Sequence, residues 1–240
     1  MLARRVLAVA RKETRSYFVS PVAYVVAAVF VALTGYFFVD SMSATAFPEA
    51  TVNPYVGRSI FILALVGPML TMRLLAEEQK LGTIELLLTS PVQGWEVVLG
   101  KFLSSLLVLT AALALTLVYV ALLFWFGNPD GGPIFTAYLG LFLFGAGALA
   151  IGLFTSALTS NQIVAAVLSY GLLTLLTVIH LAADQVGGRM ATVLQEASMV
   201  FQFEDFTRGA LSLRGIVYYL SLVVFFLFLA IRTLELRRWR

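Results

Sequence analysis

Six apolar stretches of similar length recur along this 240-residue chain, and none has an Asp or Glu in its core. They cover residues 21–39, 55–72, 102–126, 134–158, 163–183 and 216–231, with Arg58 interrupting the second near one end. An α-helix needs about 20 apolar residues to cross the hydrocarbon of a bilayer. Inside lipid the backbone must satisfy its own hydrogen bonds, so such runs fold as helices. Composition agrees: 60% of residues are hydrophobic, 12% are charged, and mean hydropathy is +0.95. A soluble globule needs more polar cover than that. The expected fold is therefore an all-α integral membrane protein with six transmembrane helices.

The placement of charge matters more than the net +3. Arg4, Arg5, Arg11, Lys12 and Arg15 precede the first run, and Arg232, Arg237, Arg238 and Arg240 follow the last. Arg73, Lys80 and Lys101 lie in the loop after the second run. The other loops carry Arg58, Arg189, Arg208 and Arg214 among most of the acids. The positive-inside rule then puts both termini and the loop after span two in the cytoplasm. Ala44-Thr45-Ala46 looks like a signal-peptidase site, but the run before it exceeds the usual core of about 7–15 residues. The first run is expected to remain as a span.

Two amphipathic segments flank this frame. Residues 1–18 mix Leu2, Val6, Leu7 and Val9 with five cations. They are expected to form an interfacial helix, its cations either reaching anionic lipid or only setting topology. In residues 184–213, Met190, Val193, Leu194, Ala197 and Phe201 recur at helical spacing. A short amphipathic helix on the outer side is expected there.

Several chemistries are excluded. With no cysteine there is no disulfide and no thiolate metal site, and a single histidine, His180, argues against a metal site. His180 has no convincing nucleophile to serve, so an interfacial hydrogen bond is its expected role. Gly94–Lys101 fails as a phosphate loop: five residues separate its glycines, and Phe102 stands where Ser or Thr must hold magnesium. Acid-free span cores disfavour an ion-coupled carrier. No nucleic-acid partner is expected.

What remains is the charged loop, residues 73–101, which holds Glu77, Glu78, Glu85 and Glu96, four of the thirteen acids. The second span is expected to continue as a helix through Lys80 and to end at Gly82, with Thr83 capping a short new helix. Ser90 and Pro91 then read as the cap and first residue of the next helix, with Gln93 in the capping-box position. Lys101 is expected to snorkel back from span three. In span two, Pro68 removes a backbone hydrogen bond just above the loop and is a candidate hinge. In span four, Ala148, Gly152 and Ser156 form a small-residue face for close helix packing.

The run Leu70-Thr71-Met72-Arg73, Ala76-Glu77-Glu78, Gly82-Thr83-Ile84-Glu85-Leu86-Leu87-Leu88-Thr89, Pro91-Val92 and Gly100-Lys101 resembles the ABC-2 type transporter permeases, and more narrowly their gliding-motility-associated branch. The resemblance spans essentially the whole chain. It implies a single transmembrane domain over residues 1–240 that is not itself an enzyme and carries no cofactor. ATP and Mg belong to a separate ABC ATPase subunit, and a second permease subunit, identical or not, completes the transporter. Glu77, Glu78, Gly82, Thr83 and Glu85 would form the ATPase-coupling helix, with Pro91 shaping its exit. Arg4, Arg5, Arg11, Lys12 and Arg15 would sit on the inner-leaflet connecting helix, against membrane lipid. A bacterial inner membrane, an export direction and an outer-side accessory protein are further expectations. The competing reading is a membrane anchor or assembly subunit whose loop recruits a cytoplasmic protein without transport.

Overall fold

The computed structural model describes residues 2–43, 53–83 and 93–238, which form ten α-helices and no strand. They are α1 (Leu2–Val19), α2 (Pro21–Ser43), α3 (Asn53–Lys80), α4 (Gly94–Phe126), α5 (Gly131–Leu158), α6 (Gln162–Val178), α7 (His180–Val186), α8 (Gly188–Ala197), α9 (Met199–Thr207) and α10 (Leu213–Arg238). Five of them, α2, α3, α4, α5 and α10, are long and apolar enough to cross a membrane.

The fifth apolar run departs from a single span. It forms the 17-residue α6 and then the short α7 from His180, joined through Ile179, which keeps helical torsions (φ −57°, ψ −27°) and donates to Leu175 O at 3.0 Å. The sequence beyond is also finer-grained than one amphipathic helix. Gly187 and Gly188 adopt φ +66° and +63°, which separates α7 from α8. Ser198 is extended and accepts from the Phe201 N–H, so a new helix starts there, and Phe201 belongs to α9 instead of α8. None of α8 is buried, whereas Phe203 and Phe206 of α9 enter the bundle.

α5 is the hub, packed against α3, α4, α6, α9 and α10. Its small residues permit this. A Cβ on Gly145 would stand 2.6 Å from Leu109 of α4, and one on Gly140 2.8 Å from Phe206 of α9. The face Ala148, Gly152 and Ser156 meets α3: Ala148 lies against Gly67, and Gly152 against Thr71. The close packing of this face is therefore internal to the bundle.

The two ends of the bundle differ. At one end Arg58 of α3 pairs with Asp40 of α2 and lies over the Phe37 ring. At the other, Gly94 touches Leu234 of α10, Arg5 of α1 approaches Glu96, and Gln79 meets the last turn of α5. The chain segments nearest both termini thus share the end that carries the charged loop.

Candidate functional site

The charged loop is suspended between two helical stems. α3 continues without a break past Met72 to Lys80, then terminates at Gly82, whose φ of +70° requires a residue without a Cβ. The Leu81 N–H reaches Glu77 O at 2.9 Å, and Thr83 Oγ1 donates to Glu78 O at 3.3 Å. The returning stem, α4, is 33 residues long, roughly 50 Å at 1.5 Å per residue, well beyond the span of a bilayer core. It does not begin at the Ser90-Pro91 signal. Gln93 is extended (φ −83°, ψ 150°) and acts as the N-cap, and its N–H donates to Glu96 Oε2 at 2.8 Å. The capping box is thus Gln93/Glu96, three residues later than the sequence indicated. Ser90, Pro91 and Glu85 lie outside the described residues.

The largest departure concerns Lys101. It does not snorkel: its residue is 1% exposed, and its Nζ donates to Glu78 Oε1 at 2.8 Å and Glu13 Oε1 at 3.1 Å. The physical reason is that α1 lies across the start of α4 and closes the route to water. Val9 sits so near Gly100 that a Cβ there would stand 2.7 Å from it. A buried cation needs partners, and two carboxylates from two other helices supply them. One ammonium therefore joins α1, α3 and α4 at the base of the loop.

Further polar ties grip the same stem. Tyr17 of α1, 2% exposed, donates to Leu70 O at 2.6 Å. Burial pushes its phenol well above the usual value; nearby Arg73 opposes the shift and Glu13 adds to it. Arg73 lies over the Tyr17 ring and donates to Ser20 Oγ at 3.0 Å. From α5, Ser156 Oγ accepts from the Leu75 and Ala76 N–H groups, both at 3.0 Å, and donates to Met72 O at 2.8 Å. Gln79 Nε2 donates to Ala157 O at 3.0 Å. Pro68 is buried two residues before the first of these ties, at Leu70.

A cleft of about 550 Å³ opens beside the triad, lined by Glu13, Tyr17, Arg73, Glu77, Lys101 and Thr83 among others. Glu77, Leu81, Gly82 and Thr83 are exposed at its mouth, whereas Glu78 turns inward to Lys101. The cations of α1, namely Arg4, Arg5, Arg11, Lys12 and Arg15, are all exposed. Arg5 leans toward Glu96 at 3.9 Å. The arrangement can present a surface and transmit displacement.

Two sets of partners escaped the sequence, although a hydrogen bond at His180 was expected. The Lys101 triad joins residues 88 and 23 positions apart, and no local pattern marks it. His180 Nδ1 lies 3.1 Å from Ser198 Oγ. That hydroxyl is fully buried and already caps α9, so the contact anchors α7 to α9.

A model of the ABC-2 family transporter proteins matches residues 7–229. The chain belongs to the ABC-2 transporter family. The permease called "Probable multidrug ABC transporter permease YbhR" of Escherichia coli strain K12 is 29% identical over 104 residues, 43% of this chain and 28% of the relative. The protein of that name from E. coli O157:H7 matches to the same extent. The matched segment thus spans little more than a quarter of these relatives. ABC-2 membership and the apolar helices together make the chain a multi-pass membrane protein, in bacteria one of the inner membrane. They assign the broad family and not the gliding-motility branch.

Proposed function

We propose that this chain is the permease subunit of an ATP-driven ABC exporter, coupled to a separate ATPase through the loop between α3 and α4. In this reading α6 serves as the sixth span, short but within the range of about 17–25 residues that can cross. The end bearing both termini and the loop is then cytoplasmic, in keeping with its excess of Arg and Lys. ATP and Mg bind the partner subunit. Exposed Glu77, Leu81, Gly82 and Thr83, with Glu85 beyond them, offer the docking surface. Pro91 shapes the loop's return, and Glu78 holds the loop's base.

The observation that carries this reading is the Lys101 triad. A loop that only decorates a membrane anchor has no need of a buried ion network fastening both its stems to a third helix. A loop that must transmit force does. Two permease subunits form the pathway, and their apolar, charge-poor walls suit amphipathic cargo. The printed description of the E. coli relatives as multidrug permeases is in keeping with that. α8, fully outside the core at the other end of the bundle, offers a surface to lipid or to an outer-side accessory protein. α1 lies on the inner leaflet.

The test is tagged purification in mild detergent with mass spectrometry and an ATPase assay, run beside Glu85→Lys. Co-purification of an active ATPase that the variant loses supports coupling through the loop. Absence of any ATPase, with the variant behaving as the parent, returns the chain to the anchor reading.

A further inference from the structure

α1 has two faces with different work. Val9, Glu13 and Tyr17 look inward, to Gly100, Lys101 and Leu70. The other face, Leu7, Arg11, Thr14 and Phe18, follows helical spacing along the outside. Beside it run Leu103 and Leu107 of α4, one turn apart and 41% and 49% exposed. Between them lies a groove of about 1170 Å³ whose apolar floor is Leu7, Phe18, Leu103 and Leu107, and whose rim is Arg11, Lys12 and Arg15. Its volume exceeds the range of about 300–1,000 Å³ usual for small-molecule pockets. Glu13, the acid next to this rim, is held by Lys101 at 3.1 Å and reaches Lys12 at 3.9 Å, so Arg11 and Arg15 carry most of the rim's positive charge.

We propose that this groove is a binding site for one anionic glycerophospholipid. Its phosphate lies against Arg11, Lys12 and Arg15, and an acyl chain runs along Leu103 and Leu107. The five cations of α1 then divide. Neither Arg4 nor Arg5 lines the groove, so neither belongs to the site. Charge complementarity selects the occupant: an apolar floor alone would take any lipid, while three clustered cations favour a negative headgroup. The inference deepens the seating of α1 on the inner leaflet and is independent of the ATPase reading. It makes the lipid a wedge between the connecting helix and the stem that leaves the loop.

Native mass spectrometry of the full chain, titrated with phosphatidylglycerol or phosphatidylcholine, reads the site directly. Phosphatidylglycerol is expected to bind at least tenfold more tightly. Arg11→Gln/Arg15→Gln is expected to weaken it about 25-fold, from about 1 kcal/mol per cation. Arg4→Gln should change it less than about threefold, since a cation outside the site adds only diffuse attraction. Leu103→Trp/Leu107→Trp, which fills the floor and keeps every charge, should also abolish the preference. Equal loss from Arg4→Gln and from the Arg11/Arg15 pair overturns the groove and leaves an ordinary interfacial helix. Retained binding after the floor is filled also overturns it. No headgroup preference at all overturns both the groove and the inner-leaflet seating.

Discussion

Replacing Lys101 with Met tests the idea that the loop's base is an ion network and not a hydrophobic seam. Met matches the length of the lysine stem and removes only the ammonium. Glu13, 12% exposed, then keeps only the exposed Lys12 at 3.9 Å, and Glu78, 17% exposed, loses its ammonium partner. Removing one partner of a buried ion pair costs about 3–5 kcal/mol. The adjoining cleft lets water reach both carboxylates, which places this case near the lower figure, about 3 kcal/mol. At about 2–4 °C per kcal/mol for chains of this size, melting in detergent should fall by about 6–12 °C.

The control separates lost attraction from orphaned charge. Lys101→Met/Glu13→Gln/Glu78→Gln leaves no unpaired ion, and replacing a whole buried network is often close to neutral. The triple variant should recover to within about 1 kcal/mol of the parent. Because the pairs are buried, the deficit of the single variant should persist between about 0.05 and 0.5 M salt. If the single and triple variants melt together, or if salt erases the difference, the triad is a surface ion pair of little consequence and the argument fails.

Gly152→Ala should destabilise by about 1–3 kcal/mol by overpacking, since its Cβ would collide with Thr71 Oγ1, a hydroxyl already bonded to Gly67 O. Adding Thr71→Ala should restore part of that loss, and strict additivity in thermal melts would refute the contact. Tyr17→Phe should cost about 1 kcal/mol for its hydrogen bond to Leu70 O. Burial raises the Tyr17 phenol, so the folded state keeps a proton that the unfolded chain loses; this stabilisation is intact below about pH 10 and falls as pH rises further. A pH series of melts should therefore be flatter at its alkaline limb in Tyr17→Phe than in the parent. Pro68→Ala should fold but lower cargo-stimulated ATPase activity; full stimulation would count against a hinge there.

Five of the six expected spans were legible because a bilayer imposes a length and a polarity that one stretch of sequence must meet alone. The Gly82 stop was legible for a similar reason: a left-handed turn has one favoured residue. Lys101 was misread because snorkelling assumes that a stem meets water, and only the path of α1 across Gly100 closes that route. The cap moved from Ser90 to Gln93 because two overlapping signals, Ser90-Pro91 and Gln93-Glu96, compete locally. The break after Val178 has no proline or glycine to announce it, and the Ser198 contact that fixes His180 comes from 18 residues away.

The polar ties on α3 fall at Leu70, at Met72–Ala76 and at Glu78–Gln79, within roughly 14 Å along the helix axis. They come from α1, α4 and α5, so this stretch is fastened on three sides. Displacing Thr83 as a flexible tip would break none of them, but displacing the stem must carry α1 and the start of α4 with it. Pro68, with no N–H to donate, stands immediately above the fastened stretch. A stiff lower stem meeting a helix interruption concentrates bending at that junction, because rotation there disturbs the fewest hydrogen bonds. Under the proposed coupling, α1 belongs to the moving assembly and is not a passive float on the membrane. A disulfide engineered between α1 and α4 should then leave ATPase stimulation intact, whereas one fixing α1 to a static element should abolish it. Stimulation lost with the first bridge and kept with the second would reverse the roles assigned to these helices.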